Sequence, residues 1–234
     1  MSIEPMIVSH AHKFIFIKTG KTAGTSVECG LSAFCGPDDI ITPVSKVDEA
    51  LRLGRGPQNW NVNVNPWWKS AGRKLGMFKG RKHKGHYYNH MPADEIKARV
   101  GNEIWRKYYK FTVERNPWDR QVSIYYWRQR DDAARLPFNE FMRREDLARG
   151  NNFYMYSLDG AVAVDRVCRY EDLRAEVKSA LEQAGVSGEV TLPRAKGGAR
   201  KTERRHYRDY YNGETRAIVA RWYAREIEAM GYEF

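Results

Sequence analysis

Acidic residues are missing from one long stretch of this chain: Ala50 to Ala93 contains no Asp or Glu but nine Lys and Arg. Cysteine is scarce as well. Cys29, Cys35 and Cys168 make neither a disulfide framework nor a metal-ligand spacing, which suits a reducing compartment and gives no reason to expect a bound metal. No apolar run approaches the roughly 18 residues that cross a bilayer. The N-terminus lacks the marks of an export signal, since Glu4 stands where positive charge belongs and Phe14–Ile17 is too short an apolar core. These absences lead us to expect a soluble, cytoplasmic protein without a transmembrane segment. Internal repeats and low-complexity tracts are also lacking.

What the chain does have is a core and a strong charge. Its 234 residues include 7 Trp, 14 Tyr and 9 Phe, enough apolar surface for one folded domain over 1–234 and too much for general disorder. Lys and Arg outnumber Asp and Glu by 40 to 29, giving a net charge of +11. The excess is concentrated in a basic, Trp-containing insert at about 52–85 and in Arg194–Arg208, where seven cations face Glu203 alone. Solvated loops would explain any single lysine, but clusters of this kind fit a polyanionic substrate or partner. Charge alone does not separate nucleic acid from other anions.

The hydrophobic pattern alternates strands with helices. Lys13–Ile17 reads as a buried strand, followed by a Gly/Thr-rich turn at 18–26 and a helix over Val27–Phe34. A helix starts at Pro92, with Asp94 and Glu95 in its first turn. Tyr109–Val113 reads as a second strand, and a helix follows Asn116-Pro117 to about Arg130. Ala163–Val167 reads as a third strand. Leu173, Val177, Leu181 and Ala184 form one helical face, and Ile218 to Met230 form a last helix stopped by Gly231. This order predicts an α/β domain with a central, mostly parallel sheet flanked by helices.

Two motifs carry chemistry. Lys18, Lys21, Thr22, Gly24, Thr25 and Ser26 place cations, hydroxyls and a small residue between a strand and a helix N-terminus, an arrangement suited to an anion. Gly20-Lys21-Thr22 ends like a Walker A loop, but that motif's first glycine would fall on Ile15, so an ordinary nucleoside-triphosphate loop is disfavoured. Further on, Glu114-Arg-Asn-Pro-Trp-Asp-Arg-Gln-Val-Ser123 follows a strand and opens a helix. Arg115 offers a planar fork and Ser123 a hydroxyl, and both can converge on one phosphate.

In these residues the chain resembles the sulfotransferases that use 3′-phosphoadenosine 5′-phosphosulfate (PAPS). It is most similar to the branch with the heparan sulfate 2-O- and chondroitin sulfotransferases and bacterial relatives. Lys21-Thr-Ala-Gly-Thr-Ser26 resembles their 5′-phosphosulfate loop, and Arg115 with Ser123 their 3′-phosphate motif. Asp165–Leu173 and the stretch from Leu192-Pro193 to Tyr211 resemble later segments, the second being a basic loop over the nucleotide. The resemblance implies a P-loop-kinase-like fold. It further implies donor contacts from Lys21, Thr22, Ala23, Gly24, Thr25, Ser26, Arg115, Ser123, Lys201 and Thr202, release of 3′-phosphoadenosine 5′-phosphate (PAP), and no metal. Lys18 and Gly20 stand where His and Pro are more usual in this loop.

The attacking hydroxyl must lose a proton, for which His is suited near neutrality. Of His83, His86 and His90, the resemblance favours His90 as base, with His86 second. Glu114 is read as a structural ion partner, and Cys29 and Cys35 as packing. Tryptophans and cations in the insert suit a hydroxyl-bearing, anionic glycan acceptor, with no nucleic acid expected. The sequence is silent on oligomeric state.

Overall fold

The computed structural model describes residues 6–61, 86–88, 90–130, 135–195 and 205–234. Most of the basic insert, His83, Lys201 and Thr202 lie outside the described residues.

Among the described residues, five strands build the central sheet: β1 (Ile7–Ser9), β2 (Phe14–Ile17), β3 (Ile40–Ile41), β4 (Tyr109–Glu114) and β7 (Arg166–Arg169). Their order across the sheet is β3-β1-β2-β4-β7. β2, β4 and β7 run parallel, and β1 runs against both β2 and β3, so a single strand opposes the direction of the others. A separate hairpin pairs β5 (Ser157–Leu158) with β6 (Ala161–Val162). β2 is wholly apolar and buried on both faces, as a central strand of a covered sheet should be. Phe14 and Phe16 face one core with Phe111 and Cys168, whereas Ile15 and Ile17 face another with Met91 and Ile96.

Helices cover both faces. α1 (Gly24–Leu31) and α8 (Leu173–Gln183) pack on the Phe16 side, and α3 (Ala93–Lys107) on the Ile15 side. α3 carries Asp94 and Glu95 in its first turn and Arg106 and Lys107 in its last, matching its dipole, and Gly101 (φ 84) breaks it internally. α4 (Pro117–Arg128) starts where sequence punctuation places it, with Pro117 in the first turn and the Asn116 side chain accepting from the Trp118 N–H at 3.1 Å. α2 (Lys46–Glu49), α5 (Phe138–Arg143), α6 (Glu145–Ala148) and α7 (Phe153–Tyr156) are short. Among the described residues, no helix is long and apolar enough to cross a membrane.

Three expectations need correction. The third strand is Arg166–Arg169 rather than Ala163–Val167, because Ala163 and Val164 pack with the Ile15-side core while Asp165 bonds to Lys110 and starts the sheet pairing. The last helix is two, α9 (Gly213–Trp222) and α10 (Ala224–Met230), divided at Tyr223 (φ −117). The buried Tyr223 hydroxyl donates to Gln121 and accepts from the Gly150 N–H, which anchors the break. Arg52 does not face an external anion. It bonds Glu28 at 2.9 Å and Glu49 at 2.5 Å, because α1 buries a carboxyl whose oxygens need donors and Glu49 supplies a nearby negative charge.

Candidate functional site

β2 delivers the chain into residues 18–23, and α1 begins at Gly24 with no side chain capping its N-terminus. Lys21 (φ 63) and Ala23 (φ 57) adopt left-handed backbone, which costs a non-glycine residue about 1–2 kcal/mol. Cross-links hold the loop in this form. Thr19 Oγ1 donates to the Val113 carbonyl and shares a 2.8 Å hydrogen bond with Thr22 Oγ1. Asn152, which sequence reasoning did not single out, bonds both backbone polar groups of Gly20.

The two loop lysines have different surroundings. Lys18 is 3% exposed and its Nζ donates to Thr25 Oγ1 at 2.8 Å, with Glu28 Oε2 at 4.0 Å. A Cβ on Gly24 would fall 2.5 Å from the Lys18 Cγ, so glycine is what lets the lysine stem pass. Lys21 is half-buried, and its Nζ lies 5.4 Å from the centre of the Trp127 ring on α4. Thr22 is turned into the protein toward Thr19. Thr25 Oγ1 accepts from Lys18 and Ser26 Oγ accepts from the Ala195 N–H at 3.2 Å, so each hydroxyl keeps its own hydrogen to offer an anion.

Arg115 follows β4 directly. Its Nη1 donates to the Lys21 carbonyl at 3.3 Å, its Nη2 meets Asp119 at 2.7 Å, and its guanidinium stacks 4.2 Å from the centre of Tyr170. Nε also donates to Asp119, which leaves one N–H on each terminal nitrogen. Ser123 is half-buried in α4. The structure thus joins Lys21 to Arg115, two residues far apart in sequence. Beneath them, Glu114 is fully buried and accepts from Arg120 at 3.1 Å, as a structural ion partner does.

His90 (φ 47) approaches from the start of α3, with Nδ1 3.0 Å from the Lys18 carbonyl. A carbonyl only accepts, so Nδ1 carries the hydrogen in this contact. His86 is half-buried, with its ring 6.2 Å from that of Trp60. A cleft of about 630 Å³ is lined by Asp94, Arg149, Tyr154, Trp222 and Arg225 among others, and by none of Lys21, His90, Arg115 or Ser123.

Burial pushes the Cys29 thiol up to about 11 and Cys35 and Cys168 to about 12, so none is a thiolate near neutrality. Among the described residues, no group of three or more His, Cys, Asp or Glu is placed to hold a metal ion.

Burial also pushes the Glu28 carboxyl from 4.5 up to about 8, against the attraction of Lys18 and Arg52. The folded chain therefore holds this proton more tightly than the unfolded chain, and the group's contribution to stability falls as pH rises through that window. The stability of wild type relative to Glu28→Gln should drop between about pH 5 and 8.5, by a free energy on the order of 4 kcal/mol at most. Thermal unfolding of both proteins across the range measures it. A constant difference would mean that Arg52 keeps the carboxylate ionised.

Loop and arginine together suit transfer of an anionic group, and comparison with known proteins gives that class its form. The chain belongs to the sulfotransferase family, which it matches over residues 4–233. Its activity is accordingly sulfuryl transfer to an acceptor. A protein of Archaeoglobus fulgidus, described as an uncharacterized protein, is 33% identical over 106 residues, covering 44% of this chain and 88% of that relative. No solved structure matches the chain.

Proposed function

We propose that the chain transfers the sulfuryl group of PAPS to a hydroxyl on an anionic, carbohydrate-containing acceptor in the cytoplasm, in the manner of the branch that includes the heparan sulfate 2-O- and chondroitin sulfotransferases. The observation that carries this reading is the 3.3 Å contact between Arg115 and the Lys21 carbonyl, because it puts both anion motifs at one end of β2 and β4. The uncapped N-terminus of α1 fits a phosphate-bearing ligand at the loop.

When bound, the donor supplies an activated sulfuryl group and a phosphate leaving group. Backbone N–H groups of Thr22, Ala23 and Gly24, with the Thr25 and Ser26 hydroxyls, hold the 5′ end. Lys21 stabilises negative charge on the departing oxygen. Arg115, through its two remaining N–H groups, and Ser123 select the 3′-phosphate. Lys201 and Thr202 supply a cation and a hydroxyl for the nucleotide's anionic groups. His90 takes the acceptor's proton. The cleft near Asp94, four residues after His90, offers Tyr154 and Trp222 as faces for a sugar ring and Arg149 and Arg225 for its anions.

Calorimetry with PAP and ADP tests the donor assignment. PAP should bind more tightly, and Arg115→Ala should remove about 2–4 kcal/mol of that preference while ADP binding changes little. Equal affinities of wild type for the two nucleotides would overturn the reading.

A further inference from the structure

We propose that Asn152 is a positioning residue for the donor loop. Its carboxamide fixes the peptide groups of Gly20 so that Lys21 is held in its left-handed conformation, and Glu114 fixes the carboxamide. The inference rests on the reading of residues 21–26 as the donor loop.

Asn152 is buried, and its Oδ1 accepts from the Gly20 N–H at 2.9 Å. Its Nδ2 donates to the Gly20 carbonyl at 3.0 Å and to Glu114 Oε1 at 3.1 Å. Both amide hydrogens are therefore used. Turning the carboxamide over would set oxygen against the Gly20 carbonyl and the Glu114 carboxylate, and nitrogen against the Gly20 N–H, replacing attraction with repulsion at each contact. Only one orientation is compatible with the site.

Glu114 links this clamp to the other half of the site. The oxygen that receives Asn152 also accepts from the Arg115 N–H at 3.0 Å and from Arg120 at 3.1 Å, while Tyr156 donates to the second oxygen at 3.3 Å. A single buried carboxylate thus sets the start of Arg115 and, through Asn152, the approach to Lys21. Gly20 matches this arrangement from the loop side. A proline there would have no N–H to donate, and an alanine Cβ would sit 3.2 Å from Asn152 Oδ1, closer than ordinary contact.

The test uses PAP binding and steady-state turnover of the full chain, with melting curves confirming that each variant is folded. Asn152→Ala should weaken PAP binding about tenfold and lower kcat about 10–100-fold, the scale expected from a displaced catalytic group. The KM of the acceptor and the PAP-to-ADP affinity ratio should stay near wild type, because the Asn152 side chain bonds neither the Arg115 guanidinium nor the side chains that line the cleft, and Glu114 still accepts from the Arg115 N–H. Gly20→Ala, which presses on the same contact from the loop, should weaken PAP binding by a smaller factor of about 3–5. Combined with Asn152→Ala it should add nothing further.

Wild-type affinity for PAP in Asn152→Ala, or additive losses in the double variant, would overturn the clamp while leaving the donor reading intact. A wild-type chain that does not bind PAP would overturn the donor reading and the clamp with it.

Discussion

Replacing His90 with alanine is expected to lower turnover about 10²–10⁴-fold while leaving PAP affinity nearly unchanged, the signature of lost general-base catalysis. The structural reason is the 3.0 Å contact of Nδ1 with the Lys18 carbonyl, which holds the imidazole against the loop. His90 also holds a left-handed backbone (φ 47), so alanine adds a conformational cost of its own. His90→Asn separates the two effects, because asparagine tolerates that conformation but has no basic nitrogen. Both variants should be equally slow. Full turnover in His90→Asn would make the residue's role conformational, and full turnover in both would transfer the base assignment to His86.

Lys21→Ala should reduce turnover about 10²–10³-fold, with a much smaller loss of PAP affinity, because charge on the leaving oxygen is greatest in the transition state. Single-turnover kinetics set beside calorimetry distinguish the two quantities. Lys18 has no freedom to compensate, since its ammonium is buried, bonded to Thr25 and close to Glu28. Equal losses in binding and turnover would make Lys21 a ground-state anchor instead.

The parts of the site written in contiguous residues were readable before any coordinates. The loop after Ile17 and the Arg-Asn-Pro turn carry their own signals, because glycine, proline and a capping asparagine act locally. The rest depends on contacts between distant segments. β3 has two residues, too few to show a period, and β7 is framed by Arg166 and Arg169, whose charge masks its apolar Val167 and Cys168. Asn152 sits in a Gly-Asn-Asn sequence that looks like any turn, and only the fold brings it to Gly20. Arg52 illustrates the reverse problem: a cation counted with a basic run is paired with Glu49 and bonded to the buried Glu28 carboxyl of another segment. Composition registers charge but not whether that charge has already been neutralised.

The pairing of β2 with β4 has a consequence for biosynthesis. Phe14 waits for Tyr109 as its sheet partner, so β1 and β2 are made long before one edge of β2 can be covered. During that interval the emerging chain presents Phe-Ile-Phe-Ile, a short, uncharged, β-prone segment of the kind that recruits other strands. Lys13 and Lys18 bracket it, and like charges at both ends of such a segment repel the copies that would stack on it. Lys18 therefore has one use in the nascent chain and another in the finished one, where the same ammonium is folded beneath the loop. Charge-removing changes at Lys13 should show their cost in soluble yield more than in the activity of the protein that survives.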